Sequence, residues 1–207
     1  MLDALPSKGQ STLHENRHKI EELPKLKWQG DYARFQIVLV KAGLQRVSSL
    51  SIYPEYIDDG SEVLKGEIND QQVLETIQEL EYLGFESTHY PTVDTSVTID
   101  FANNKFDLSE YEKLLSLRLL DSKTQGAIFG IPQTAIDAFP DDVISLKEIP
   151  SEILNDPLGE LLPFRLSKAN WTEEWETFKK QAQHAASNYP ELIKALNLQK
   201  YFPNLFE

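Results

Sequence analysis

The sequence predicts an α+β fold, in which a small antiparallel sheet with one helix is followed by a mainly helical C-terminal half. Short stretches before residue 104 alternate apolar and polar residues with a period of two, as half-buried strands do. Residues 70–83 interrupt these stretches with apolar residues at helical spacing. After residue 104 the spacing is helical almost throughout. Strands grouped around a helix and followed by further helices are typical of the α+β class.

Length and composition limit the domain organisation and the compartment. A chain of 207 residues can bury one substantial core, so we expect residues 1–207 to form a single compact unit with a flexible start at 1–11. Two halves, 28–104 and 105–207, are the alternative. Cysteine is absent, which excludes disulfides and favours a reducing compartment. No apolar stretch approaches the length of a membrane span, so the sequence predicts a cytoplasmic protein without a membrane partner.

The net charge of −13 is concentrated in one part of the chain. Residues 1–50 carry eight Lys or Arg and five Asp or Glu, whereas residues 51–100 carry one lysine and twelve acids. An acidic surface repels nucleic acid and anionic lipid. We therefore expect proteins rather than nucleic acid as partners. The acidic region is either a solvated face or a docking face for a basic partner or for the chain's own basic N-terminal arm.

The first predicted helix carries a metal-binding motif. Thr12 and Glu15 have the spacing of a capping box, and Pro24 ends the helix. His14, Glu15 and His18 match the HExxH pattern, in which two histidines one turn apart bind zinc and the glutamate activates a metal-bound water. A zinc hydrolase that uses these three residues is therefore one hypothesis for the function.

The surroundings of this motif differ from those of zinc peptidases. Arg17 stands between the two histidines, and no strand precedes the motif to hold a substrate. No second motif selects a third ligand among Glu21, Glu22, His89 and His184. We therefore predict no metal site and no cofactor, and keep the hydrolase as an alternative.

The predicted sheet consists of two hairpins on either side of a helix. Alternating apolar and polar residues predict the first hairpin over residues 33–53 and the second from 85–90 to 95–102. An acidic loop is predicted at 54–66, and its spacing does not fit a calcium loop.

The helix at 70–83 has the clearest predicted boundaries. Asn69 and Gln72 form a capping box, and Gly84 supplies the left-handed residue that closes a helix. Its outer face is predicted to be the centre of the acidic surface, with Glu75, Glu79 and Glu81.

The C-terminal half begins with three predicted helices, at 107–121, 122–129 and 132–139. Leucines surround most of the first helix, so we expect it to be deeply buried. Between the second and the third, Gly126 allows a close approach of the helices and Gly130 adopts the left-handed conformation that ends the second.

This pair of short helices resembles the helix-turn-helix of phage Cro-type repressors. The residues that carry the resemblance are Gly126, Gly130, Ile131, Gln133, Thr134, Ala135 and Ile136. The resemblance implies a recognition helix that contacts DNA, so that replacing Gln133 and Thr134 matters only to a regulator. A recognition helix needs Lys or Arg near phosphates, whereas this one runs into Asp137, Asp141 and Asp142. We therefore predict that residues 122–139 serve packing, with a DNA-binding regulator as a further alternative.

Four prolines divide residues 140–166 into short apolar pieces. Such spacing allows only single helical turns, so we expect an ordered belt across the surface. The residues expected to anchor it are Ile149, Ile153, Leu154, Leu158, Leu161 and Leu162. A helix follows, with a capping box at Asn170 and Glu173 and with Trp171 and Trp175 expected in the core. The last seven residues form an apolar tail that is expected to dock on this protein, a second copy or a partner.

The motifs of common enzyme classes are missing from the sequence. It contains no nucleotide-binding loop, no dinucleotide fingerprint and no nucleophile elbow. We therefore predict a non-enzymatic protein–protein interaction module, alone or as a homo-oligomer. The zinc hydrolase and the helix-turn-helix regulator remain the alternatives.

Overall fold

The computed structural model of the protein describes residues 23–27, 29–54, 56–58, 63–65, 68–92 and 96–206. The predicted flexible start at 1–11 and almost all of the predicted first helix lie outside these ranges. The strands are β1 (Val47–Ile52), β2 (Tyr56–Asp58), β3 (Val63–Lys65), β4 (Glu86–Pro91) and β5 (Val97–Ala102). The α-helices are α1 (Pro24–Lys27), α2 (Asp31–Lys41), α3 (Asp70–Tyr82), α4 (Lys105–Ser116), α5 (Ser122–Ile128), α6 (Gln133–Ala138), α7 (Ser151–Leu154), α8 (Trp171–Asn188) and α9 (Pro190–Ala195). Short 3-10 turns cover Pro157–Leu161, Gln199–Tyr201 and Pro203–Leu205.

Strands β1, β5 and β4 form a three-stranded antiparallel sheet in that order. In its register, Val47 of β1 pairs with Ala102 of β5, and Ile52 pairs with Val97. Strand β4 pairs with the other edge of β5. The α+β class and the predicted second hairpin are therefore confirmed. Strands β2 and β3 form a separate two-stranded hairpin where the sequence predicted only an acidic loop.

The predicted strand at the start of the first hairpin is wrong, because residues 33–40 belong to helix α2. The last eight residues of α2 are all buried, and a pattern of apolar residues does not distinguish a strand from a helix that is buried on all sides. The polar side chains of α2 find partners inside the core. Gln36 accepts a hydrogen bond from Ser48, and Lys41 donates one to the Leu83 carbonyl at 2.6 Å.

Lys41 joins the C-terminal ends of α2 and α3. The carbonyl that it contacts belongs to the residue that caps α3, where the helix dipole favours a positive charge. The ammonium also lies 4.9 Å from the centroid of the Phe85 ring. Burial lowers the pKa of Lys41 to about 8, so the side chain remains mostly charged at neutral pH and links the two helices.

The sheet separates two apolar clusters. Leu50, Ile99 and Phe101 belong to the main core, on the face that packs against α2 and α3. The other face meets α4 in a smaller cluster that includes Val47 and Ala102. The main core contains side chains from both halves of the chain. The number of domains stays a prediction.

Helix α3 begins and ends where the sequence predicted, but Asn69 caps it without the reciprocal hydrogen bond from the Gln72 side chain that the predicted capping box requires. The side chain of Asn69 accepts a hydrogen bond from the Gln71 amide at 2.9 Å. Gly84 follows the helix with a φ of +79°, and Val73 and Leu80 face the core. Local capping chemistry was therefore sufficient to place this helix.

Helix α4 is shorter and more exposed than its leucines predicted. It ends at Ser116, and its buried residues are Leu108 and Tyr111. Leu117 and Leu119, just beyond its end, are 55% and 58% exposed. The helix packs on one face of a small sheet, so the leucines on its other sides lie at the surface.

Helices α5 and α6 meet in the tight turn that the sequence predicted. A β-carbon on Gly126 would lie 2.9 Å from the side chain of Ile136, so any other residue would force that side chain to shift. Gly130 has a φ of +68°, and a β-carbon there would lie 2.1 Å from the carbonyl oxygen of Leu44. The turn therefore sits directly on the loop that follows α2.

Helix α8 forms as predicted, but its predicted capping box does not. The Asn170 side chain makes no capping hydrogen bond. Trp175 stacks on Phe178 in the core, with ring centroids 5.7 Å apart. Tyr201 and Phe202 are each 5% exposed, so the start of the apolar tail docks on this protein.

Replacing Gly130 by alanine should cost more stability than the same change at Gly43. Both glycines have a positive φ, but a β-carbon at Gly43 would meet no atom within 4 Å. Gly43→Ala should therefore cost about 1–2 kcal/mol, the penalty of the left-handed conformation alone. Gly130→Ala adds the overlap with Leu44 and should cost about 3 kcal/mol or more. Urea unfolding of both variants measures the difference. Equal losses in the free energy of unfolding would contradict the close contact between the turn and the Leu44 carbonyl.

Candidate docking surface

The residues of the zinc hypothesis, His14, Glu15 and His18, lie outside the described residues. Within the described ranges, no group of three or more His, Cys, Asp or Glu side chains is placed to hold a metal ion. His89 is exposed on β4, and His184 is exposed on α8. Among the described residues, neither of these two histidines belongs to such a group.

Helix α6, the second of the helix-turn-helix-like pair formed by α5 and α6, is fastened to the protein. The Thr134 hydroxyl donates a hydrogen bond of 2.6 Å to Glu174 on α8. Gln133 donates to Asp137 within its own helix, and Lys123 pairs with Asp137 at 3.7 Å. A substitution at Thr134 therefore disturbs packing. A loss of function on replacing Thr134 would therefore not by itself identify a DNA-binding regulator, and the regulator stays a prediction.

The belt, residues 140–166, is a loop that is closed at its neck. The Ile144 amide donates to the Leu166 carbonyl, and the Lys168 amide donates to the Asp142 carbonyl, each at 2.8 Å. Helix α7 and the 3-10 turn that follows it are single turns within the belt. These short elements confirm the prediction, made from the spacing of the prolines, that the belt contains only single helical turns.

A buried carboxylate fastens the neck of the belt to two helices. Glu174 on α8 is 2% exposed. One of its oxygens accepts hydrogen bonds from the hydroxyls of Ser167 and Thr134, and the other accepts from the Ser167 amide at 2.7 Å. Charge-assisted bonds of this kind offset the cost of removing a carboxylate from water. Glu174 therefore fixes the belt, α6 and α8 relative to one another.

An apolar groove lies within the belt, and we call it the belt groove. It has a volume of about 320 Å³ and is lined mainly by Ile and Leu side chains, with Glu160 and Arg165 as its charged lining residues. Leu146 and Leu154 also line it and are 73% and 68% exposed. Leu154 was expected to anchor the belt, and its exposure corrects that expectation.

A second groove lies beside the helix-turn-helix-like pair, and we call it the turn groove. It has a volume of about 360 Å³ between α5, α6 and the end of the belt, and Tyr32 of α2 forms part of its lining. Tyr32 and Phe139 are 43% and 47% exposed. Gly126 lines this groove as well, so the close approach of the two helices shapes it.

Phe164 and Arg165 line both grooves and form the wall between them. Phe164 packs edge-on against Phe178 of the core, with ring centroids 6.4 Å apart. Arg165 is exposed, and its side chain forms no hydrogen bond or ion pair with any residue that the structure describes. The wall therefore combines a fixed apolar base with an unpaired guanidinium.

Acidic side chains surround this positively charged wall. The belt contains six Asp or Glu and two Lys or Arg, a balance of −4. Glu148 and Glu152 are exposed and adjoin residues that line the belt groove, and Asp137 and Asp141 are exposed near Phe139 of the turn groove. The electrostatic pattern is therefore Arg165 between the two grooves, one further cation, Lys147, beside the belt groove, and an excess of acids around them.

Next to the belt groove, a polar cluster fastens the C-terminal tail to α2. The Tyr201 hydroxyl lies within hydrogen-bond distance of the carboxylates of Asp31 and Glu160. Burial would raise the pKa of Asp31, but hydrogen bonds from Lys200, Tyr201 and Arg34 outweigh it and lower the pKa to about 2. Burial and the two carboxylates raise the pKa of Tyr201. The hydroxyl is therefore protonated at neutral pH and serves as a link, not as a base.

Asp100 on β5 is a fully buried acid between the sheet and α4. Its Oδ1 accepts a hydrogen bond from Ser49 at 2.5 Å, whereas Oδ2 has no hydrogen-bond partner among the described residues. Burial raises the pKa of Asp100, interactions with Ser49 and Tyr90 oppose the shift, and the charge of Glu112 adds to it. Neither groove reaches Asp100, so its expected effect is on stability.

Comparisons of the chain with protein-family models, with curated proteins and with solved structures found no match. In the part of the chain that the structure describes, no helix is both long enough and apolar enough to cross a membrane. The assignment of a candidate surface therefore rests on the geometry of this chain alone.

Sequence reasoning located the belt but missed its grooves. Of the expected anchors, Ile153 and Leu161 are buried but Leu154 is exposed, and Leu146, which was not among them, is exposed as well. One available signal was the setting of Leu146, which stands alone between polar and charged neighbours. The sharing of Arg165 between two grooves depends on long-range packing, and no local pattern reports it.

Glu174→Ala should destabilise the protein by about 3 kcal/mol or more, because it leaves the two buried donors of Ser167 and the partly buried Thr134 hydroxyl without an acceptor. Thr134→Val removes a single donor and should cost about 1 kcal/mol. Glu173→Ala is the matched control, since Glu173 is exposed on the same helix turn and should change stability little. Urea unfolding followed by circular dichroism gives the three values. If Glu173→Ala and Glu174→Ala lowered the free energy of unfolding by similar amounts, the proposed role of the buried Glu174 carboxylate would be refuted.

Asp100→Asn should remove a pH-dependent loss of stability. The pKa of Asp100 is raised in the folded protein, whereas an aspartate in the unfolded chain has a pKa of about 3.9. The folded protein therefore binds a proton at this carboxyl more tightly than the unfolded chain does. The protonated carboxyl therefore contributes stability below about pH 4, and this contribution is lost as the pH rises through the raised pKa of Asp100 in the folded protein. We expect the variant to be more stable than the wild type at about pH 7 and to approach it at about pH 4. A constant difference across denaturation curves at several pH values would contradict this.

Proposed function

We propose that the protein is a non-enzymatic protein–protein interaction module that binds a segment of another protein across the belt groove and the turn groove. The observation that carries the proposal is the junction of these two grooves, of about 320 and 360 Å³, at the shared wall of Phe164 and Arg165. A single extended or helical segment that crosses the wall can place one apolar side chain in each groove.

Exposed apolar side chains support a binding role for this surface. Leu146, Leu154, Phe139 and Tyr32 are each more than two-fifths exposed and all line one of the grooves. Apolar surface that is grouped in this way and rimmed by charge is a feature of interaction sites. Covering a leucine of this kind contributes about 1.5–3 kcal/mol, so a few such side chains are sufficient for specific binding.

The lining favours a protein segment over a small molecule. Small-molecule sites combine an enclosed apolar pocket with several convergent polar groups. The charged lining groups here are Arg165, which is exposed, and Glu160, which accepts a hydrogen bond from Tyr201. The grooves are therefore better suited to apolar anchors than to orienting a polar ligand.

Electrostatics favour a different protein over a second copy of this chain. Two belts facing each other would bring together two surfaces with a balance of −4, on chains with a net charge of −13. Such like-charge contacts oppose association. A partner that is neutral or basic avoids this cost. Because the chain lacks cysteine, we place the interaction in the reducing environment of the cytoplasm.

A peptide-display selection on the full-length protein tests the proposal. We expect selected peptides to bind the wild type and to lose at least about tenfold in affinity on a Leu154→Asp/Phe139→Asp variant, which places a charge in each groove. Leu74→Asp is the matched control, since Leu74 is 50% exposed on α3, away from both grooves. A selection that enriches no peptide would contradict the proposal. So would peptides that bind the double variant as tightly as the wild type.

A further inference from the structure

We propose that the bound segment carries an aspartate or a glutamate between its two apolar anchors and that this carboxylate pairs with Arg165. Neutral or basic residues are expected outside the anchors. The inference rests on the function proposed above and names the chemistry of the partner at the same surface.

The position of Arg165 determines where the acid must lie. Arg165 belongs to the lining of both grooves, so a segment with one anchor in each groove passes over its guanidinium. The residue that stands between the anchors is therefore the one that meets this charge. Phe164 packs against Phe178 of the core, which holds the backbone from which the Arg165 side chain extends between the grooves.

Desolvation makes the pairing necessary. In the free protein, water solvates the exposed Arg165 side chain, which has no partner among the described residues. A segment that covers both grooves removes part of this water, and a cation without an acceptor then weakens binding. A carboxylate can accept two parallel hydrogen bonds from a guanidinium and so replaces the lost water.

The neighbouring acids of this protein do not supply that acceptor. Glu160 lines the belt groove and lies 2.7 Å from the Tyr201 hydroxyl, and it forms no hydrogen bond or ion pair with Arg165. Glu148 accepts hydrogen bonds from Ser145, and Asp137 pairs with Lys123.

The acidic rim determines the flanks of the segment. Apart from Arg165, the belt carries six Asp or Glu and one lysine, Lys147. Further carboxylates in the partner would meet like charges there, whereas lysine or arginine would meet opposite ones. The expected segment therefore has one acid at its centre and none at its ends.

Parallel display selections test this with three baits: the wild type, Arg165→Glu and Lys168→Glu. Lys168 is an exposed cation on the neck that lines neither groove, so its variant is the control for net charge. We expect the wild type and Lys168→Glu to select Asp or Glu between two apolar positions, and Arg165→Glu to select Lys or Arg there. Replacing the acid by its amide in a selected peptide should weaken binding to the wild type about three- to tenfold. The Arg165→Gln variant has no positive charge at this position, so replacing the peptide's acid by its amide should not weaken binding to it.

Two results would overturn the inference, and they separate it from the proposed function. Peptides that need Leu154 and Phe139 but show no acid preference, and bind Arg165→Glu unchanged, would overturn the pairing while the docking function stands. A failure to select any peptide with the wild type would overturn both. Because Arg165 is exposed, its variants should fold normally, which circular dichroism checks before binding is measured.

Discussion

The buried carboxylate of Glu174 is the interaction on which the candidate surface depends. It accepts hydrogen bonds from Ser167 at the neck of the belt and from Thr134 on α6 while lying on α8. A buried charge is tolerated only when its hydrogen bonds are satisfied, so each of these elements is constrained by the same group. The belt groove and the turn groove keep a fixed relation because their walls share this attachment.

A rigid belt has consequences for binding. Prolines limit it to single turns, and the neck closes it through two backbone hydrogen bonds of 2.8 Å. A surface that is ordered before the partner arrives loses less conformational entropy on association. The exposed Leu146 and Leu154 can therefore contribute most of their apolar area to affinity. The same rigidity fixes the backbone of Arg165 between the two grooves, which is why we propose this exposed cation as a determinant of specificity.

Sequence reasoning succeeded where local chemistry decides structure and failed where packing decides it. Gly126, Gly130 and the caps of α3 were predictable because backbone conformation and close approach demand particular residues. The strand predicted at 33–40 was wrong because complete burial hides the difference between helical and strand periodicity. Nothing in the sequence around Glu174 distinguishes it from exposed Glu173, since its partners come from distant parts of the chain. The grooves were missed for the same reason.

Hydrogen–deuterium exchange of the full-length protein, with and without a selected peptide, tests the docking surface most directly. The account predicts slower exchange on both sides of the shared wall, in residues 144–166 of the belt and 122–139 of the helix-turn-helix-like pair. Strand β4 and the outer face of α3 should be unchanged, because they lie outside both grooves. Protection that appears on the sheet or on α3, with none in the belt, would contradict the account and move the interaction to the acidic region of the chain.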